Sequence, residues 1–142
     1  ITLDAQSMVT CAYAPWAYGL PYRYCKARLE VTGWTYRWNS KRGGGDVGIM
    51  GSCEAIGKIR EAEEGTLEEF LFERYCLYTV HGGKLCIAHT QHDPWKFREG
   101  RVSINSNSLT EIYDLGIGDL LNPDLVHMSE GVLVHTWSVE EV

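Results

Sequence analysis

The sequence predicts an α+β domain: a mostly antiparallel, barrel-like sheet, strongly bent or closed, with two or three short helices. Three observations predict it. Several segments alternate with the two-residue period of a strand, and glycine-containing turns separate them. Two Ser/Thr-x-x-Glu patterns open short helical stretches. No internal repeat or low-complexity tract interrupts the chain.

Taken in order, Ile1 to Leu3 ends a strand, and "DAQSMVTCAYAPWAYG" is a short helix capped by Asp4 and closed before Pro15. After the Gly19-Leu20-Pro21 corner, Cys25, Ala27, Leu29 and Val31 share the core face of a strand. Tyr22, Tyr24, Lys26, Arg28 and Glu30 share the other face. Thr32-Gly33 turns the chain into "WTYRWN", which makes a hairpin. "SKRGGGD" is a flexible tip, and the glycine-weakened strand "VGIMGSCEAIGKI" is expected to carry a bulge. "EAEEG" is solvated linker.

In "TLEEFLFERY", Thr66 and Glu69 form a capping box, with Leu67, Phe70 and Leu71 as the buried stripe. "CLYTV", "HGGK" and "LCIAHTQ" follow as strand, tight turn and strand; this register sets His81 against Lys84 and Cys76 against His89. "RVSIN" is a strand. "SLTEIYDLG" is a second capping-box helix, from Ser108 through Glu111, stopped at Gly116. "DLVHMSEGVLVHTWSV" supplies two more strands around Glu130-Gly131.

Bulk properties narrow the function. The 142 residues make one domain, 1–142, and the 44% hydrophobic and 23% charged content argues against disorder. A net charge of −6 argues against nucleic acid as a partner, since phosphate binding needs a concentrated positive face. No apolar stretch is long enough for a membrane span. Five cysteines, odd in number and without a CxxC pair, suit reduced thiols in the cytoplasm. The opening "ITLDAQ" has no initiator methionine and already reads as structured, so native residues before Ile1 are an expectation of the sequence.

Few constellations carry chemistry. An amine nucleophile at neutral pH needs its ammonium destabilised by about 4–5 kcal/mol, which takes burial and a neighbouring cation. Lys26 has Arg28 beside it, yet it lies on the face opposite the core, where a solvated charge is the expectation. Cys76 opposite His89 resembles a nucleophile and base, but no local residue orients that histidine, and inert packing is the simpler reading. His89 and His92 point to opposite strand faces and cannot share an ion, so neither metal nor cofactor is expected. Gly43 to Gly45 lacks the strand and helix of a phosphate loop. The five tryptophans and eight tyrosines suit packing, or the lining of a pocket for a small apolar or aromatic acid.

Three stretches, "YGLPYRYCKARLEV", "GTLEEFLFERYCLYT" and "HTQHDPW", together with the closing "HMSEGVLVHTWSVE", resemble the bacterial YqjF-like family, domain of unknown function 2071. The match spans nearly the whole chain. It rests on Gly19-Leu20-Pro21-Tyr22, Thr66-Leu67, Phe70-Leu71, the run Glu73-Arg74-Tyr75-Cys76-Leu77-Tyr78, and His92 with Pro94-Trp95. That family's members are longer, so the resemblance implies an N-terminal portion that this chain lacks, or completion of the sheet by a second subunit. The family is in turn similar to acetoacetate decarboxylases, which implies a closed, mostly antiparallel barrel around a pocket. Their Gly-Phe-Pro-Lys-Lys segment, whose first lysine forms a Schiff base, aligns with "GLPYR". Tyr22 and Arg23 stand at the two lysine positions.

The resemblance therefore implies a barrel pocket without Schiff-base decarboxylation. The leading expectation is binding of a small carboxylate or carbonyl compound by Tyr22, Arg23, Glu73, Arg74 and Tyr78. Arg74 would anchor a carboxylate, and Glu73 would hold Arg74 or act as a base; a purely structural Glu73–Arg74 ion pair at the helix end is the competing reading. An alternative is an enzyme on small keto or carboxylic acids using Lys26 or His92. A third is an interaction module or homo-oligomer that uses sheet edges.

Overall fold

The computed structural model describes residues 3–112, 116, 119 and 121–142. Among these, the strands are β1 (Leu3–Ala5), β2 (Tyr22–Thr32), β3 (Thr35–Arg42), β4 (Gly48–Arg60), β5 (Cys76–His81), β6 (Lys84–Gln91), β7 (Phe97–Asn107), β8 (His127–Ser129), β9 (His135–Thr136) and β10 (Glu140–Glu141). The helices are α1 (Met8–Tyr18), α2 (Leu67–Phe72) and α3 (Ser108–Glu111). The fold is α+β. A six-stranded sheet, in the order β1-β2-β3-β4-β7-β8, curls strongly into a half-barrel. A four-stranded group has the order β10-β6-β5, with β9 also paired to β6. All pairings are antiparallel except β1 with β2.

Local chemistry explains most boundaries. The Gly33 turn closes the β2–β3 hairpin with Thr32 opposite Thr35. The expected irregularity in β4 is real: its register against β7 shifts at Met50/Gly51 and again between Ile56 and Arg60. The Gly82-Gly83 turn sets His81 against Lys84 and Cys76 against His89, as its length requires.

Several expectations need correction. Helix α1 does not close before Pro15 but runs on to Tyr18, ending where Gly19 adopts φ 68 and donates its N–H to the Pro15 carbonyl at 3.0 Å. Its cap is Ser7, whose hydroxyl accepts the Thr10 N–H, not Asp4. Asp4 lies in β1 and grips Arg42 instead, at 2.9–3.2 Å through Nε and Nη2.

Thr66 does cap α2, accepting the Glu69 N–H at 3.3 Å, while Glu69 reaches back to the Gly65 N–H at 2.6 Å. Yet Leu67, Phe70 and Leu71 are all exposed, and it is the half-buried Phe72 that packs on the core. Phe72 stacks on the fully buried Phe97 at 4.3 Å. In α3 the cap is Asn107, not Ser108; the Ser108 hydroxyl accepts the Gly48 N–H and ties the helix to β4. The expected run of that helix to Gly116 crosses residues 113–115, which lie outside the described residues, as do residues 1 and 2 of the expected first strand.

The described buried side chains include Ala14, Cys25, Cys53, Cys86, Ala88, Phe97 and Leu109. The core face expected of β2 is buried at Cys25 but opens toward its far end, where Leu29 and Val31 are exposed. No helix among the described residues is long and apolar enough to cross a membrane. All five cysteines are free thiols.

Candidate functional site

The site is built where α2 ends and β5 begins. Glu73 caps α2, its N–H donating to the Glu69 carbonyl at 2.9 Å. The chain then bends through Arg74 and Tyr75 into β5, and the end of β6 with the "HDPW" segment that follows it folds back over the bend. Several bonds fix that fold-back. The Arg74 carbonyl accepts the Thr90 hydroxyl at 3.1 Å and faces His92 Nε2 at 3.2 Å. The Thr90 N–H donates to the Tyr75 carbonyl at 2.9 Å. His92 stacks on Tyr75 at 4.6 Å, and its Nδ1 faces the Asp93 carbonyl at 2.8 Å.

Glu73 does not pair with Arg74. Its Oε2 accepts the Tyr75 hydroxyl at 2.6 Å and its Oε1 accepts the Trp95 N–H at 3.1 Å. The hydrogen bond to this carboxylate, with the nearby negative charge, pushes the Tyr75 phenol above its ordinary value. Arg74 lies over Phe70, with its guanidinium carbon 3.7 Å from the ring centroid.

Between these elements is an open recess of about 410 Å³, lined by Leu71, Phe72, Arg74, Cys76, Leu77, Thr90, His92, Trp95 and Val134. Its walls are mainly apolar, and Arg74 is the one arginine or lysine among its lining residues. Such a recess suits an apolar body carrying one negative group.

Of the remaining expected site residues, Tyr22 and Arg23 pair with Leu3 and Asp4 at the start of β2, and Tyr78 is exposed on β5 opposite Ile87. None of the three lines this recess. Lys26 is exposed on the outer face of β2, directly opposite Lys41. It lines a separate open recess with Arg28, Lys41 and the glycine tip. Cys76 and His89 are opposed in register, but the His89 ring turns to Glu140, with Nε2 3.5 Å from Oε1.

Sequence reasoning missed a cluster around Phe97. Arg60 lies 4.5 Å over that ring and donates to Glu68 at 3.1 Å, while His127 packs edge-on at 5.0 Å with Nε2 3.7 Å from Glu68. Arg60 holds the Glu68 carboxyl below its ordinary value. The residues come from β4, α2 and β8, far apart in sequence, and no local spacing announces the contact. Among the described residues, no three His, Cys, Asp or Glu side chains gather as a metal site.

The protein at hand is 26% identical over 141 residues to "Uncharacterized protein YqjF" of Bacillus subtilis (strain 168), covering 99% of this chain and 57% of that relative. The chain thus spans little more than half of that relative's length. No solved structure matches. The family described as "Uncharacterized conserved protein", domain of unknown function 2071, matches residues 1–133, and the chain belongs to it.

Proposed function

We propose that this chain binds a small carboxylate with an apolar or aromatic body, on an acetoacetate decarboxylase-like β-framework and without Schiff-base decarboxylation. The observation that carries the reading is the placement of Arg74. Its guanidinium rests on Phe70 at 3.7 Å, and Arg74 lines a recess whose apolar walls include Leu71, Phe72, Leu77 and Trp95. A planar fork held by stacking loses little freedom when it pairs with a carboxylate. The apolar walls would take the rest of the ligand out of water.

Of the five ligand-binding groups expected from sequence, this reading uses Arg74 directly and Glu73 as its support. Glu73 holds Trp95 and Tyr75 in place around the recess. His92 contributes its ring face, since both of its nitrogens face backbone carbonyls. A cytoplasmic setting is part of the proposal and is supported by the five free thiols.

Tyr22 and Arg23 at the Gly-Leu-Pro corner and the exposure of Lys26 support the part of the proposal that excludes imine chemistry. The test has two arms. Saturation-transfer NMR with a panel of aromatic and aliphatic carboxylates should show contacts from the apolar part of the ligand. Borohydride reduction in the presence of keto acids should leave every lysine at its unmodified mass. A reduced adduct on any lysine, or no carboxylate showing transfer, overturns the reading.

A further inference from the structure

We propose that Lys26, Lys41 and Arg28, on the outer face of the six-stranded sheet, bind a small phosphate dianion, free or as a monoester. The first support is an electrostatic mismatch. Along β2, β3, β4 and β7, Glu30 faces Arg37 and Glu54 faces Arg101, each a pair of opposite sign. Lys26 faces Lys41 instead. Like charges directly opposite one another destabilise a sheet, and an acidic residue at either position would have removed the conflict. Neither lysine has an ion-pair partner among the described residues. The mismatch is internal to the hairpin and does not depend on what covers the rest of the sheet.

The second support is the shape of this corner. Arg28 lies two residues beyond Lys26 on the same face, and Asn39 faces Arg28 from β3. The four side chains therefore root at the corners of a rectangle of about 5 by 7 Å, small enough for all of them to reach one tetrahedral anion. They line an open recess of about 570 Å³ that runs to the glycine tip, where Gly43 to Gly45 place no side chain over it. No Asp or Glu is among its lining residues. Arg42 lines it as well, but Asp4 holds that guanidinium.

The third support is charge balance. Glu30 takes one nitrogen of Arg28 at 2.7 Å, which leaves the rest of that guanidinium fork and the Asn39 amide as donors. With Glu30 set against Arg28, the two lysines leave two positive charges, which a phosphate dianion cancels. Three cations gathered in one corner match a single phosphate group, whereas a nucleic-acid backbone needs them drawn out along a track. The corner shares no lining residue with the Arg74 recess, so the two sites are separable.

Nitrogen-15 NMR titration with inorganic phosphate and with glycerol phosphate, at about pH 8 and against sodium chloride of equal ionic strength, tests this. It is run on the 142-residue chain and on the full-length gene product. Phosphate should shift the amides around Lys26 and Lys41, and chloride should not. Tighter binding of the monoester identifies a phosphorylated small molecule as the ligand; tighter binding of inorganic phosphate identifies the free anion. Lys26→Gln and Lys41→Gln should each weaken binding about tenfold or more, while Arg74→Met leaves it unchanged. Lys26→Glu should abolish binding and raise the melting temperature measured without phosphate, because the facing pair becomes one of opposite sign. Shifts no larger than those in chloride, binding that survives both glutamine variants, or a Lys26→Glu chain that melts below the native one overturn the proposal. So does a full-length product that ignores phosphate, because chain outside these residues then fills the corner.

Discussion

Glu73 and Trp95 are joined by a 3.1 Å bond from the Trp95 backbone N–H to Oε1, while the other carboxylate oxygen accepts the Tyr75 hydroxyl at 2.6 Å. One side chain at the end of α2 therefore fixes a loop that begins beyond β6.

That double role gives a separable pair of substitutions. Glu73→Ala leaves the Trp95 N–H without its acceptor, so its amide exchange should speed up along with that of its neighbours. Glu73→Gln keeps an acceptor for Trp95 but removes the charge, so the loop should hold while Tyr75 ionises at lower pH. The sign follows from the raised phenol: its contribution to stability is complete below the ordinary value of 10.0 and is lost as pH rises through the folded value. Ultraviolet titration should show a late-ionising phenol that is lost in Glu73→Gln.

Gly19 combines two demands. Its φ is 68, and a Cβ there would collide with the Val80 carbonyl oxygen. Gly33 has a similar φ of 58, with nothing within 4 Å of an added Cβ. Gly33→Ala should therefore cost only the left-handed strain, about 1–2 kcal/mol. Gly19→Ala should cost clearly more, because the α1 end must move off β5. Urea unfolding of the two variants measures the difference directly.

The Asp4–Arg42 grip ties β1 to the end of β3, with the two side chains only 10% and 16% exposed. Asp4→Ala should destabilise the domain by roughly 1.5–3 kcal/mol, the range for a hydrogen bond to a charged group. At about 2–4 °C per kcal/mol for a chain of this size, that is a readable fall in the melting temperature.

Acid sensitivity should depend on Arg60. Its hydrogen bond to Glu68 depresses that carboxyl below the ordinary 4.5. A depressed acid contributes stability that is present above its unfolded value and lost as pH falls through the folded one. Arg60→Met should thus remove part of the loss seen on acidification below about 4.5, and the Glu68 carboxyl carbon should titrate higher by NMR.

The parts of this fold legible in the sequence are those set by short-range geometry. The Gly82-Gly83 turn determines the β5–β6 register, because a turn of that length permits one alignment of Cys76 with His89. Glycines along β4 announced its irregular register. What depended on tertiary contact was not legible. Ser108 looks like a cap, but its hydroxyl serves Gly48 across sixty residues of chain, and Asn107 takes the capping role. The period of Leu67, Phe70 and Leu71 suggests burial, yet the residue of α2 that stacks on Phe97 is Phe72. Arg74 could be singled out within "FLFERYCLY", but its partner could not: adjacency suggested Glu73, and folding gave it Phe70.

The most direct measurement is calorimetric titration of the chain and of Arg74→Met with phenylacetate and with phenylacetamide, which has the same body without the charge. The account predicts that the carboxylate binds the native chain, that the amide binds at least tenfold more weakly, and that Arg74→Met erases the difference. Equal affinity for acid and amide, or an acid preference that survives Arg74→Met, would contradict it.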